Sequence, residues 1–580
     1  MAKPASKRQA IHAFLALTLT PLQIVRAGLA PHRFVAYPTP VDFIQQRAQN
    51  EAMKLVTGTQ MKALDQLVIE RAGVSSSVLM ENAGRQVVHA LADRFPNLRR
   101  QRVVIVAGKG NNGGDGLVAA RALSERGVAI EVLLLATPRQ CSPETVAQLR
   151  LLGQYTVPVV PVPNVDELNR LEAALQRADI VIDALLGIGV RGAVKGLYAR
   201  AIEHINAAPA FCVALDVPSG VDADTGQVNG CAVQADLTVT LGLPKTGLLL
   251  HPGRGCAGEL QVVSIGYPPL QVEAFPSPWT WLLAPWVRAH LPPRSAYSHK
   301  GLFGSGLLLA GSQGMSGALC LAAGAALRCG VGLLHLAYPR SLDAMMSGIA
   351  LEAIKHPLPQ RLGSVGGTAA PTILPLLGSN EAVALGPGLS QRPHTQSLIR
   401  TLIPRIEAPL VIDADGLNAL QGHLQLLRKR RAGATVLTPH PGEFARLTGL
   451  SVPEIEADRL GTALRFAVKY RVVLALKGAP TVVAAPNGSG YVNSTGNSGL
   501  AKGGSGDVLT GILLALLAQG LDGATAACCA VWIHGRAADL LQPTLGERSM
   551  LPSDVIESLP DVFRELEGPG IDPAPVTRFA

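Results

Sequence analysis

RVVIVAGKGNNGGDGLVAARALSERG, residues 102–127, is the stretch whose reading decides the fold. It opens on the apolar run VVIVA, which has strand length, and closes on LVAARALSERG, whose apolar residues recur at helical spacing. Between them GKGNNGGDG, residues 108–116, is a glycine-rich turn. A strand that turns through glycine into a helix is the repeating unit of a parallel sheet covered by helices. Written as Gly108-x-Gly110-x-x-Gly113, the turn also satisfies the dinucleotide-binding pattern. Pyrophosphate asks only for bare backbone N–H groups, however, and this turn carries two carboxamides and a carboxylate.

The same unit recurs on both sides. From about residue 53 to 270, VVIVAG, AIEVLLLA, DIVIDALLG, FCVALDVPSG and LTVTLGLPK read as strands between helical patterns. Each is nearly continuously apolar, as in a parallel sheet buried on both faces. The Pro- and Trp-rich GYPPLQVEAFPSPWTWLLAPWV breaks the alternation and reads as a connector. A second series follows: GLLLAGS, GLLHLAYP, AVALGPGLS, PLVIDADGLN, TVLTPHPGE, VVLALKGAP and TVVAAPNG. The pattern predicts an α/β chain of two three-layer αβα domains, over 53–270 and 285–565, with a linker over 271–284 and a tail over 566–580. No solenoid period is present.

With 580 residues, 48% hydrophobic and 16% charged, the chain is too long for one core and too apolar for disorder. Its net charge of +9 is uneven: residues 1–52 hold six Lys/Arg against two Asp/Glu, so the other 528 carry only +5. That is too dilute for a phosphate-tracking surface, and nucleic acid is not an expected partner. Eight cysteines without a C-x-x-C pair read as reduced core residues of a cytoplasmic protein. The first thirty residues have the basic start and apolar stretch of a secretory signal or transit peptide, but Pro21 and Arg26 interrupt them. Organised sequence begins just after Met53, the favoured start, so residues 1–52 are expected to lie outside the functional unit. No segment reaches the roughly 18 uninterrupted apolar residues of a spanning helix, so no membrane is expected. A homo-oligomer is expected.

In an open parallel sheet the ligand crevice lies beyond the carboxyl ends of the strands. In the first half those ends bring Asn111, Asn112 and Asp115, Asp183 with GIGVRG (187–192), Asp216 with PSG, and Lys245. One Asp after a strand is as well read as a turn residue or a cap; four consecutive strand ends bearing Asp, Asn or Gly are not. GIGVRG is a second Gly-x-Gly-x-x-Gly, and two of them point to a phosphate-rich ligand gripped by backbone amides. The hard oxygens of Asn112, Asp183 and Ser219 suit an alkali or alkaline-earth cation and not zinc. The second half brings GPG (386–388), Asp413, Asp415, His440, Glu443, Lys477 and GGSGD (503–507). After GGSGD, Val508, Leu509, Ile512, Leu513, Leu516 and Leu517 form an apolar helical stripe, so the turn opens a helix. Its free N–H groups make an anion hole suited to a phosphoryl group. Asp507 at the mouth is placed to take a proton from an attacking hydroxyl; the alternative is an ordinary Asp N-cap. His440, between two prolines, is either a ligand contact or a packed or capping histidine.

LMENAGR (79–85), GKGNNGGDG, DALLGIGVRG and LDVPSGVDADTG together resemble the YjeF N-terminal domain, the Rossmann-like NAD(P)H-hydrate epimerase, over roughly 53–268. The resemblance implies that Asn111, Asn112, Gly113, Gly114 and Asp115 bind the hydrated dinucleotide. Gly187, Ile188, Gly189, Val190, Arg191, Gly192 and Ala193 would bind it too. Asp216 would contact it and act in catalysis, and Asn112, Asp183 and Ser219 would hold a potassium ion (K+). HKGLFGSGLLLAGS (299–312), GPGL, DADGLN, TPHPGEF, LKGAPT and LAKGGSGDVLTG resemble the YjeF C-terminal domain over roughly 285–560. That domain is the ribokinase-like, ADP-dependent NAD(P)H-hydrate dehydratase. The resemblance implies that Lys477, Gly478, Ala479, Pro480, Thr481 and Gly506 bind the adenine nucleotide. Ala326, Gly388, His440 and Asp507 would meet the hydrated substrate, with Asp507 catalytic, ADP as co-substrate and magnesium (Mg2+) as its ion. The expected enzyme epimerises the R and S hydrates and dehydrates the S form, giving AMP and phosphate. Two other readings compete. The first half resembles an mRNA-decapping factor too, which would make it a scaffold, but intact Asn112, Asp183 and Asp216 oppose that. A kinase of a small sugar or a hydroxymethylpyrimidine is opposed by NSTGNSGLAKGG leading into the anion hole.

Overall fold

The computed structural model describes residues 53–430 and 432–568; the leader 1–52 and, of the expected tail, residues 569–580 lie outside the described residues. The chain starts with the short strand β1 (Met53–Leu55) and helices α1 (Gly58–Ala72) and α2 (Ser76–Arg94). The stretch 102–127 then folds as its pattern predicts, into β2 (Arg102–Ala107), a turn and α3 (Asn111–Glu125). Val103 to Ala107 are all buried, because helices cover both faces of the strand. With β3 (Ala129–Leu134), β4 (Val159–Pro161), β5 (Ile180–Ala184), β6 (Phe211–Leu215), β7 (Leu237–Leu241) and β8 (Glu259–Val263), β2 forms a parallel sheet in the order β4-β3-β2-β5-β6-β7-β8. The direction of the order reverses beside β2 and β5, whose carboxyl ends carry the two glycine turns.

The second sheet is larger and mixed. Its strands are β9 (Trp279–Leu282), β10 (Ser305–Leu309), β11 (Leu333–Pro339), β12 (Ile354–Leu358), β15 (Ala382–Leu385), β16 (Leu410–Ile412), β17 (Thr435–Leu437), β18 (Val473–Leu476), β19 (Thr481–Ala484) and β20 (Gly490–Asn493). A small antiparallel pair, β13 (Gln360–Arg361) and β14 (Ser364–Val365), stands apart. The order is β1-β9-β20-β19-β18-β17-β16-β15-β10-β11-β12. Strands β10 to β12 and β15 to β18 run parallel, while β19 turns back antiparallel on β18 and β20 on β19. The helices that matter for the site are α4 (Ser316–Arg328), α5 (Pro441–Thr448), α6 (Arg459–Tyr470), α7 (Ser505–Ala518), α8 (Gly523–Ser549) and α9 (Pro552–Glu567). Helix α7 is buried on every side, and Gly511 lets it lie so close to α4 that a Cβ there would stand 2.1 Å from the Ala322 carbonyl oxygen.

The boundaries differ from those the composition predicts. The expected linker, 271–284, contains β9, which pairs with β20 and β1 inside the second sheet. Trp279 and Trp281 are buried there, and the Trp281 indole donates to Ser494 Oγ at 2.7 Å. Prolines on either side hide a strand whose own residues, WTWL, are good strand formers. Strand β1, read as the start of the first domain, is likewise an edge of the second sheet. The expected tail begins two residues too early, because α9 runs to Glu567 and Leu566 is fully buried. The halves are also not separate bodies. One apolar cluster joins Val221, Leu248 and Leu260 of the first half to Leu417 and Phe444 of the second, with Leu55 among them. Because Leu55 is fully buried in that shared cluster, Leu55→Ala should cost about 2–5 kcal/mol of stability in denaturant unfolding. An unchanged midpoint would mean that β1 is ornamental.

Candidate active sites

Two constellations of polar side chains form, each beyond the carboxyl ends of one sheet. In the first half the turns after β2 and β5 touch. A Cβ on Gly108 would fall 2.0 Å from the Leu185 carbonyl oxygen, so only glycine fits there. Helix α3 begins at Asn111 with Gly110 as its N-cap and no side-chain cap, which leaves its first N–H groups to the crevice. Asp183, fully buried at the end of β5, accepts from Ser219 N at 2.8 Å, Ser219 Oγ at 2.6 Å and Leu185 N at 3.2 Å. Ser219 Oγ accepts from Leu186 N at 2.8 Å, and Asn112 Nδ2 donates to the Leu186 carbonyl at 3.0 Å. Asn112 and Ser219 thus converge on one carbonyl, with Asp183 bound to Ser219. Burial raises the Asp183 carboxyl to about 6 despite its hydrogen bonds.

Asp216 lies one strand further along, held at φ 69°, a left-handed conformation that few non-glycine residues adopt. Its Oδ1 accepts from Leu241 N at 3.0 Å and from the Lys245 ammonium. Lys245 is itself fully buried and donates to the Leu241 carbonyl at 2.8 Å. Two further carboxyl groups are close enough to be felt. Burial, then Asp216 and Asp65, push Asp115 well above the usual carboxylate range. Asp65, on α1, is also raised by burial and accepts a hydrogen bond from the Tyr267 hydroxyl. Sequence reasoning missed Asp65 and Tyr267: one sits inside a helix, the other in the Pro-rich connector. The loop 187–193 packs against the start of α1, and Arg191 pairs with Asp224 at 3.2 Å and Asp222 at 3.5 Å.

In the second half, Lys477 at the end of β18 donates to Asp413 Oδ1 at 2.9 Å, and Thr510 of α7 donates to Asp413 Oδ2 at 2.9 Å. Burial works against the Lys477 ammonium, but Asp413 and Glu443 outweigh it and raise its pKa. Helix α7 opens behind Gly504, at φ 101°, with no side-chain cap. Asp507 is therefore not the N-cap. It is the third residue of the helix, and its carboxylate makes no hydrogen bond among the described residues. Burial raises it to about 7, helped by Asp413 and opposed by Lys477. A Cβ on Gly506 would stand 3.0 Å from Lys477 Nζ, so glycine brings the lysine up to the helix N-terminus.

His440 does cap α5, with Nδ1 accepting from Gly442 N at 3.1 Å, while about half of its side chain stays exposed. Gly388, at φ 61°, faces the first turn of α4, where its Cβ would meet the Met315 carbonyl and Ala318. Ala326 does not reach the site: it is fully buried more than two turns along α4. Ala318 holds the position facing Gly388. The loop after β18 has a support that no motif announces. Arg459 of α6, almost fully buried, donates to the carbonyls of Leu476 at 3.0 Å, Lys477 at 2.7 Å and Pro480 at 3.1 Å.

The arrangement defines a two-site α/β chain whose second site has the parts of a phosphoryl-transfer enzyme: a glycine turn on a helix N-terminus, a lysine and an open carboxylate. A family model described as YjeF-related protein N-terminus matches residues 76–247, and one described as NAD(P)H-hydrate dehydratase matches 306–561. The chain is 42% identical over 517 residues to the bifunctional NAD(P)H-hydrate repair enzyme Nnr of Moorella thermoacetica, covering 89% of this chain and 97% of that one. To its Escherichia coli counterpart it is 35% identical over 500 residues, covering 84% and 89%. An ADP/ATP-dependent NAD(P)H-hydrate dehydratase of Bacillus subtilis, crystallised with ATP and Mg2+, is 34% identical with TM-score 0.43, over 49% of this chain and 98% of that one. The chain belongs to the family of bifunctional NAD(P)H-hydrate repair enzymes. All eight cysteines are free, and no described helix is long and apolar enough to cross a membrane.

Arg459 gives a test of how the loop is held. Arg459→Met keeps the apolar stem but removes three hydrogen bonds to carbonyls of 476–480. Adenine-nucleotide affinity should fall at least tenfold in titration calorimetry while the fold survives; unchanged affinity would mean that the loop holds itself.

Proposed function

We infer that the chain repairs hydrated nicotinamide nucleotides with two activities. The first half interconverts the R and S forms of NAD(P)H hydrate. The second half dehydrates the S form with ADP, giving AMP and phosphate. The observation that carries the second activity is Asp507: a carboxylate with no hydrogen bond, raised to about 7, beside Lys477 at the N-terminus of a buried helix. A base poised near neutral pH accepts protons best there.

Hydroxide is a poor leaving group, so the ring hydroxyl of the hydrate must be converted into a better one. Asp507 takes the hydroxyl proton while the oxygen attacks the terminal phosphoryl group of ADP and the bond to AMP breaks. The N–H groups of residues 505–507 and the Lys477 ammonium stabilise the charge on the moving phosphoryl group. The ring nitrogen then expels phosphate, a ring proton is lost, and the dihydronicotinamide returns. Lys477 to Thr481 and Gly506 bind the nucleotide; Gly388 and His440 bind the hydrate, with Ala318 in place of Ala326. Magnesium bound with the nucleotide would supply positive charge to neutralise its phosphates.

The epimerase half needs no leaving group. The hydroxyl-bearing carbon next to the ring nitrogen inverts if the ring opens to an aldehyde and closes on the other face. Opening requires a base at the hydroxyl and an acid at the nitrogen. Asp216, paired with the Lys245 ammonium, serves as the base, and Asp115, whose carboxyl resists ionisation, as the acid. Closure returns both protons. Asn111 to Asp115 and Gly187 to Ala193 bind the dinucleotide. The oxygens of Asn112, Asp183 and Ser219 with the Leu186 carbonyl fit a monovalent cation, potassium, which would balance the buried Asp183 charge.

Both halves are testable on one chain. Asp507→Asn should lower the dehydration rate by about 10²–10⁴ and leave epimerisation intact. In the parent the rate should rise with pH through about 7, because the base acts only when deprotonated, and then level off. A variant within about threefold of the parent, short of the loss expected for a base, would withdraw the assignment. Asp183→Ala should slow epimerisation and abolish its response to potassium, with conversion of pure S hydrate unchanged. Loss of both activities in a folded variant would contradict the two-site account.

A further inference from the structure

Asp65 and Tyr267 stand beside the first site but have no step in the epimerase chemistry. Asp65 lies on α1, and its carboxylate accepts the hydroxyl of Tyr267, a buried residue just after β8. Backbone fixes both ends of the pair. A Cβ on Gly242, at φ 72°, would stand 2.3 Å from the Tyr267 ring and 3.2 Å from Met61 of α1. Gly242 follows Leu241, whose N–H and carbonyl hold Asp216 and Lys245. The tyrosine ring therefore rests on the same piece of chain that anchors the Asp216–Lys245 pair. Asn82 of α2, from the motif LMENAGR, donates to the Ile265 carbonyl at 2.9 Å and so holds the segment that carries Tyr267.

Five ionisable groups thus feel one another: Asp65 of α1, Asp115 of α3, Asp216 after β6, Lys245 after β7 and Tyr267 after β8. Two of the three carboxyls have a donor, Asp216 the Lys245 ammonium and Asp65 the Tyr267 hydroxyl. The Asp115 carboxyl makes no hydrogen bond among the described residues. Burial raises Asp65, but the Tyr267 hydroxyl and the Lys245 charge oppose that rise. Asp115 is driven well above the usual carboxylate range by burial, then by Asp216 and Asp65, against Lys245. Coupled acids share protons unequally, and the proton stays where charge is least supported.

We propose that Asp65 and Tyr267 form a positioning pair that keeps the proton on Asp115, by holding beside it a negative charge that the tyrosine hydroxyl stabilises. The proposal rests on the reading of Asp115 as the acid of the epimerase half. The pair acts through Asp115 and not on the hydrate. It also gives LMENAGR a task, because Asn82 fixes the segment on which Tyr267 stands.

The test is the pH dependence of epimerisation, measured on the full chain with R hydrate and no nucleotide. An acid works only while protonated, so the parent rate should fall as pH rises through the value of Asp115. Asp65→Asn removes the neighbouring charge, and the fall should begin about one pH unit lower or more. Tyr267→Phe, which keeps the ring against Gly242, should move the fall in the same direction by less. Conversion of pure S hydrate with ADP, the work of the other half, reports whether each variant is folded. If Asp65→Asn does not fold, Tyr267→Phe decides alone. A rate lowered equally at every pH, with the alkaline fall in its old place, overturns the proposal and leaves the pair a structural prop. An Asp115→Asn variant as active as the parent would instead overturn the acid assignment, and the proposal with it.

Discussion

The pair between Lys477 and Asp413 ties together the three elements on which the second site depends. Asp413 ends β16, Lys477 ends β18, and Thr510, which shares Asp413, comes from α7. Removing one partner from a buried ion pair leaves an uncompensated charge, at a typical cost of about 3–5 kcal/mol. The pair thus fixes where the helix N-terminus stands relative to the strand ends. It also leaves Asp507 as the carboxylate without a partner. Like charge from Asp413, Asp415 and Glu443 then adds to burial in raising it. One arrangement accounts for both the anchored lysine and the unpaired, raised carboxylate.

The first half solves the same problem with Lys245 and Asp216, again a buried lysine on a strand-end aspartate. Here the leftover carboxyl is Asp115, and its neighbours are acids: Asp216 and Asp65. The difference matches the chemistry proposed for each half. A site that must move two protons without a phosphoryl group benefits from carboxyls with opposite tendencies, whereas a phosphoryl site needs one base and a cationic cradle. The two sites share a body, since one apolar cluster runs between the halves and β1 crosses from one to the other.

Central strands and strand-end motifs were legible in the sequence, because strands buried on both faces are nearly continuous apolar runs. Strands β2, β3, β5, β6 and β7 and their counterparts in the second sheet lie where those runs fall. What escaped was at the margins. Strands β1, β4, β8, β9 and β12 are at or next to a sheet edge, half wet or flanked by proline, and lack that pattern; β20 escaped as well, because its GYVN begins on glycine after a turn. Glycine turns announced where Asn112, Asp183, Gly506 and Asp507 stand, at strand ends and helix starts. Arg459, Asp65 and Tyr267 lie in helices or a connector, where spacing carries no signal. Ala326 failed because an alanine-rich helix offers several equivalent registers, and only contact with Gly388 selects Ala318.

The central claim is that two sites act in sequence on one chain, and the R epimer tests it most directly. Pure R hydrate mixed with enzyme, ADP and magnesium should first yield S hydrate and only then, after a lag, NAD(P)H, with AMP formed in equal amount. Dehydration of the R epimer with no lag and no S hydrate on the way would contradict the account.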